Sequence, residues 1–165
     1  IPKPGGKGMR QLGIPTVIDR LVQQAIGQVL EPILDPTFSA SSYGFRPGRS
    51  VHDAIGALFG MLCHKDKYVL DADIQGCFDN IAHSPLLDKL ATYPTLRRTI
   101  KGWLKAGVLA DGTWQPTERG SPQGGVVSPL LALIALHGLE TAITTAFPRA
   151  DHPHVVIYAD DFVVL

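Results

Sequence analysis

Apolar residues first recur at helical spacing over Leu21, Val22, Ala25, Ile26, Val29 and Leu30, which predicts an amphipathic helix. Asp19 is its expected N-cap, and Pro32 or Pro36 its expected end. Ahead of it, residues 1–16 are rich in Gly, Pro and Lys and predict a loop or short hairpin. Residues 43–49 read as irregular, and Ser50 with Asp53 three residues on opens a second helix running to about Cys63. From Tyr68 to Ile74 the pattern changes to strict alternation, with Tyr68, Leu70, Ala72 and Ile74 on one strand face and Val69, Asp71 and Asp73 on the other. Ser84-Pro85 begins a short helix and Pro94 to Lys105 forms another, since Pro suits a first helical turn. Val108 to Gln115 reads as a hairpin around Asp111-Gly112. A glycine-bearing loop, Gly120 to Gly125, then leads into one long apolar helix from about Ser128 to Ala146. Last come two β-branched runs, Val155-Val156-Ile157 and Val163-Val164-Leu165, flanking Tyr158-Ala159-Asp160-Asp161 as strand, tight turn and strand. This order predicts an α+β fold with helices packed on an antiparallel sheet.

At 165 residues the chain can bury one sizeable core. Its formal net charge is zero, which removes any global electrostatic footprint of a nucleic-acid binder and leaves only local ones. One such region exists: Lys3, Lys7, Arg10, Arg20, Arg46 and Arg49 fall in the first 50 residues against Asp19, Glu31 and Asp35. Cys63 and Cys77 lack metal-ligand spacing and do not form a disulfide framework, which favours a reducing, cytoplasmic compartment. His152 and His154 only weakly resemble a ligand pair. The apolar stretch from Val126 to Ala135 is short and broken by Ser128 and Pro129, so no membrane span or signal segment is expected. A start at Ile1-Pro2-Lys3 and an end inside an apolar strand read as a portion of a longer protein.

Candidate chemistry begins at the final turn. An Asp-Asp pair there is ordinary solvated turn chemistry as readily as it is a site, because Asp tolerates turn backbone angles. A third acid changes the balance. Asp73 ends the alternating strand, and if that strand pairs beside the last hairpin, Asp73 faces Asp160 and Asp161. Three carboxylates so close demand cations, which is the arrangement of a two-metal site.

Three segments now resemble one family. Asp73-Ile74-Gln75-Gly76-Cys77-Phe78 is similar to the first aspartate motif of reverse transcriptases. Ser121-Pro122-Gln123-Gly124 followed by Ser128-Pro129-Leu130-Leu131 is similar to their second palm motif, and Tyr158-Ala159-Asp160-Asp161 to their signature hairpin. Upstream, Lys3 with Arg10-Gln11-Leu12-Gly13-Ile14-Pro15, and Gly44-Phe45-Arg46-Pro47-Gly48-Arg49-Ser50, resemble finger segments of group II intron-encoded reverse transcriptases and maturases. The five segments occur in the family's order. One departure is Leu133, where intron-type enzymes usually carry Asn.

The resemblance implies a right-hand polymerase palm, an antiparallel sheet packed on helices. Residues of about 1–66 would be fingers-like and about 67–165 palm with a fingers-associated insertion, incomplete at both ends and lacking the thumb. It implies an RNA-directed DNA polymerase that joins a primer 3′-hydroxyl to the α-phosphate of a deoxynucleoside triphosphate, on an RNA template that would include group II intron RNA. Asp73 and Asp160 would bind two Mg²⁺ ions, with Mn²⁺ as a possible substitute and Asp161 in support. Lys3 and Arg10 would hold the triphosphate, Phe78 would exclude a ribose 2′-hydroxyl by bulk, and Gln123 would pack on the incoming nucleotide. Tyr158 would lie near the primer terminus, Gly124 would allow close backbone approach, and Arg46 and Arg49 would contact template phosphates or brace the fingers. Asp71 and Asp79 are expected to be structural or solvated. Residues 1–165 alone are expected to be weak or inactive. The competing readings are a retron, diversity-generating or phage-defence reverse transcriptase, and a splicing cofactor that keeps the fold without polymerase activity.

Overall fold

The computed structural model describes residues 12–148 and 152–165. It resolves into two compact units, each drawn from separate stretches of chain: residues 1–30 with 76–135, and residues 31–75 with 136–165. The expected fingers boundary near residue 66 therefore falls inside the second unit.

In the first unit, α1 (Val17–Leu34, passing into the second unit after Leu30) starts two residues before the expected cap. Thr16 is the cap: its hydroxyl donates to Asp19 Oδ2 at 2.6 Å and accepts from the Asp19 N–H at 3.2 Å. Pro32 lies within the helix without ending it. The inward face also differs from the one the apolar spacing predicts. Leu21 and Val29 are exposed, whereas Gln23 and Leu30 are buried. Polar contacts choose this face, because Trp103 Nε1 donates to Asp19 Oδ1 at 3.2 Å and Gln23 accepts from backbone N–H groups of Val126 and Val127.

A single helical turn, α3 (Cys77–Asn80), precedes α4 (His83–Leu90) and α5 (Pro94–Leu104). The last two pack together through Leu86, Leu87, Leu90, Ile100 and Leu104, all buried, each contributing about 1.5–3 kcal/mol of apolar transfer. The hairpin of β2 (Val108–Ala110) and β3 (Thr113–Gln115) turns at Asp111-Gly112 as predicted. The long helix expected from 128 to 146 is two helices, α6 (Ser128–Leu136) and α7 (Leu139–Thr145). Gly138, at φ 95°, breaks it. By length and composition residues 128–145 could cross a membrane, yet Leu130 to Ile134 are buried in protein, which makes α6 a core helix.

The second unit holds α2 (Val51–Leu62), whose capping box is complete: Ser50 Oγ accepts from the Asp53 N–H while the Asp53 carboxylate accepts from the Ser50 N–H. It lies against β4. The sheet runs β1 (Leu70–Asp73), β5 (Asp161–Val164), β4 (Val155–Tyr158), all antiparallel. Val155, Val156 and Ile157 are buried on both strand faces, while Tyr68 and Val69 on the approach to β1 and Leu70 at its start are exposed. β4 is not a bare edge. Ile157 accepts from the Tyr43 N–H and donates to the Ser41 carbonyl, both at 2.8 Å, so residues 41–43 add a short parallel neighbour.

Candidate active site

The sheet register sets the acids. Asp73 pairs with Asp161, which pairs in turn with Tyr158, so these three form one row across three strands. Directly paired residues point to the same face, at a strand spacing of about 4.8 Å. Asp71, opposite Val163, lies two residues along on that face. Asp160 occupies the two-residue turn beyond the row, and its carbonyl accepts from the Ile74 N–H at 3.1 Å, which ties the end of β1 to the hairpin tip.

The electrostatics follow from this crowding. Asp161 has its carboxyl held above the ordinary range, first by partial burial, then by the negative charges of Asp160, Asp73 and Asp71. Asp71, expected to be structural or solvated, therefore acts on the site electrostatically. Among the described residues no three His, Cys, Asp or Glu side chains converge tightly enough to ligate one ion as they stand. The donor set still fits one: hard carboxylate oxygens with excess negative charge, from two neighbouring strands and their turn, suit a divalent cation. Asp73, Asp160 and Asp161 are the residues that could hold it.

Beneath the tip lies a part that spacing along the chain did not single out. Ala159 holds φ at 59°, a left-handed value uncommon for a residue with a Cβ. Gly44 packs directly under it: a Cβ added there would lie 2.3 Å from the Ala159 nitrogen and 2.9 Å from the Tyr158 carbonyl carbon. The segment carrying Gly44 is held by Arg46, which is 7% exposed. Its Nε donates to Asp35 Oδ1 at 2.7 Å, Nη1 to the Ser39 and Ser42 carbonyls, and Nη2 to the Asp35 carbonyl. The Arg46 hydrogen bond holds the Asp35 carboxyl below its ordinary range. Of the two roles expected for Arg46, these bonds perform bracing, and a guanidinium so enclosed has little left for a template phosphate. Arg49 is half-buried, donates to the Ala40 carbonyl and stacks 5.3 Å from the Tyr43 ring centroid. Glu140 on α7 completes the brace by accepting from the hydroxyls of Ser39 and Ser41.

Phe78 and Gln123, the described residues expected to meet the nucleotide, lie in the first unit. Phe78, half-buried on α3, accepts through its carbonyl from the Ser121 N–H at 2.8 Å, and Ile81 does the same for Gly120. His83 Nε2 bonds the Gly120 carbonyl at 2.8 Å and so carries the proton, leaving its buried Nδ1 without a partner. Phe78 and the loop bearing Gln123 are thus built as one piece. The close approach expected at Gly124 is made by the chain itself: a Cβ there would meet the Gly13 carbonyl oxygen at 2.8 Å, and the Gly13 N–H donates to the Gln123 carbonyl at 2.9 Å. Lys3 and Arg10 lie outside the described residues.

Comparison with known proteins agrees with this geometry. The family model for reverse transcriptase (RNA-dependent DNA polymerase) matches residues 1–165. The chain is 42% identical over 146 residues to the group II intron-encoded protein LtrA of Lactococcus lactis subsp. cremoris, covering 85% of this chain and 24% of that protein. It is 39% identical over 147 residues to the protein YkfC of Escherichia coli K12, covering 83% of this chain and 38% of that one. It therefore spans well under half the length of these relatives. Apo telomerase from Candida tropicalis shares the fold over 88% of this chain and 34% of its own, with a TM-score of 0.57 at 14% identity. Acids on two adjoining strands and their hairpin turn, a glycine-bearing loop before a buried helix, and a family match along the whole length lead to one conclusion: this chain belongs to the reverse transcriptase family.

Proposed function

We propose that this chain is the catalytic part of an RNA-directed DNA polymerase serving a group II intron, acting in the cytoplasm on intron RNA as template and on a DNA primer. The observation that supports it most is the row of Asp73 and Asp161 with Asp160 at the tip, a preset concentration of negative charge on a rigid sheet. Asp73 and Asp160 hold two Mg²⁺ ions, for which Mn²⁺ can substitute, and Asp161 supports them. When bound, the ions supply activation of the primer 3′-hydroxyl and stabilisation of the leaving pyrophosphate oxygen.

The chain's own residues orient the reactants. Tyr158, next to Asp161 in the row, supports the primer terminus. Phe78 blocks the space of a ribose 2′-hydroxyl, and Gln123 packs on the incoming nucleotide. Lys3 and Arg10 hold its triphosphate as a point charge and a planar fork. Arg49 remains the candidate for a template phosphate, while Arg46 acts as the brace. The similarity to an intron-encoded protein of L. lactis supports the intron assignment over the other reverse transcriptase classes.

The test is extension of a DNA primer on an RNA template by the full-length protein. Asp160→Asn is expected to lower kcat by about 10²–10³-fold or more, the scale of losing one electrostatic stabiliser of the transition state. Undiminished extension by that variant sinks the metal assignment. Residues 1–165 alone are expected to extend weakly or not at all.

A further inference from the structure

We infer that Gln23 is a positioning residue for the incoming nucleotide, acting through the loop that bears Gln123; the inference rests on the nucleotide-binding reading of that loop. Gln23 sits on the inward face of α1 and is only 3% exposed. A buried amide is unfavourable unless its polar atoms are partnered, so a Gln in this place calls for a reason. Its carbonyl oxygen supplies one: it accepts from the Val126 N–H at 2.9 Å and the Val127 N–H at 3.5 Å. Both groups stand at the entry of α6, where N–H donors lack partners inside the helix. A side chain about a hundred residues away in sequence thus caps the helix that follows the loop.

The other end of the loop is fastened separately. Ser121 donates its hydroxyl to Ser128 Oγ at 2.8 Å, and Ser128 donates to the Pro122 carbonyl at 2.9 Å. Gly125 closes the turn by donating its N–H to the Pro122 carbonyl at 3.2 Å. A Cβ on Gly125 would lie 2.5 Å from Ser128 Oγ and 3.5 Å from Gln23 Oε1, so the backbone is drawn close against both side chains. Gln123 and Gly124 lie between these two fastenings. Gln23 therefore sets where the loop returns to α6, and through it the place of Gln123.

A residue that acts this way affects nucleotide binding before chemistry. In the full-length protein, Gln23→Met keeps length and approximate volume but removes the acceptor, whereas Gln23→Glu keeps an oxygen there. We expect Gln23→Met to raise the KM for deoxynucleotide about tenfold, with kcat within about threefold and primer–template affinity unchanged, since small misplacements of a contact residue act on this scale. Gln23→Glu is expected to recover most of the loss. Should Gln23→Met fail to fold, Gln23→Asn, which withdraws the acceptor by one methylene, takes the same measurement and the same expectation. The inference is overturned if the folded acceptor-deleting variant leaves KM unchanged, if kcat, KM and thermal midpoint all worsen together, or if Gln23→Glu fails as badly as Gln23→Met. Gln123→Ala measured alongside separates the two readings. A raised KM there beside an unchanged KM in Gln23→Met overturns the inference alone; an unchanged KM in Gln123→Ala overturns the reading of the loop and the inference with it.

Discussion

The hairpin of β4 and β5 is carried by apolar arms, whereas the loop from Gly120 to Ser128 is carried by polar side chains with almost no exposure. Val155, Val156 and Ile157 bury the hairpin's base, a non-directional anchor that survives small changes of shape. Gln23, His83, Ser121 and Ser128 hold the loop through directional hydrogen bonds. The remaining buried polar side chains among the described residues, Ser42 and Arg46, belong to the segment under the hairpin tip. Polar burial among the described residues is therefore concentrated at this loop and in the segment beneath the hairpin tip. A metal site needs its acids on a stiff support and can use hydrophobic burial. A nucleotide loop has irregular backbone whose N–H and C=O groups must be satisfied one at a time.

The largest effect short of removing a metal ligand is expected where the apolar anchor ends. Gly44→Ala places a methyl 2.3 Å from the Ala159 nitrogen, against backbone that cannot rotate away. We expect about a 10²-fold loss of kcat, by displacement of the Asp160 tip. Gly56→Ala in α2 is the contrast, with nothing within 4 Å of the added methyl. There the same substitution is expected to stabilise by about 0.5–1 kcal/mol and leave extension unchanged. Equal activity in the two variants would mean that the hairpin tip is not held from below.

Next in size is a direct trial of the two anchoring modes. Val156→Ala removes apolar burial from the hairpin's base and is expected to lower stability by about 2 kcal/mol, with little change in KM. Ser128→Ala breaks the hydroxyl relay and leaves the Pro122 carbonyl with the Gly125 N–H alone and the Ser121 hydroxyl without its acceptor. Its expected loss of stability is smaller, about 1 kcal/mol, but with a several-fold higher KM for deoxynucleotide. Thermal melts and steady-state extension distinguish the two, and the comparison fails if Val156→Ala moves KM as far as Ser128→Ala does.

These modes also explain what could be read from the sequence. The hairpin was legible because its determinants are local: two β-branched runs, two acids between them, and an alternating strand ending in Asp73. The Ser50–Asp53 capping box was legible for the same reason. Gln23 was hidden because its partners lie about a hundred residues on, and helical spacing assigned the inward face of α1 to Leu21 and Val29, which face outward. The one available signal was a Gln at a position in register with Ile26 and Leu30. The break at Gly138 leaves no mark in the pattern because apolar positions resume past it, and periodicity cannot register a single left-handed residue. Gly44 stood within a recognised segment, yet only the fold reveals the Ala159 backbone that its missing side chain admits.

The smallest expected effect concerns the acids themselves and has a definite sign. A carboxyl whose pKa is raised in the folded state binds its proton more tightly there than in the unfolded chain. For Asp161 this means that folded stability declines as pH rises from the ordinary carboxylate value to the raised one, and stays lower above it. Removing that charge relieves the repulsion from Asp160, Asp73 and Asp71. Asp161→Asn is therefore expected to raise the thermal midpoint in chelator at neutral pH by a small amount, on the order of a degree, because the group is largely exposed and screened. It should also flatten the decline across that pH window. Added Mg²⁺ should invert the order, since the wild type gains a ligand's worth of binding that the variant lacks. Melting curves in chelator and in millimolar Mg²⁺ check both halves. If Asp161→Asn is no more stable than wild type without divalent ions, the crowding of charge at the hairpin is not a strain that a cation relieves, and the acids would be held apart by the sheet alone.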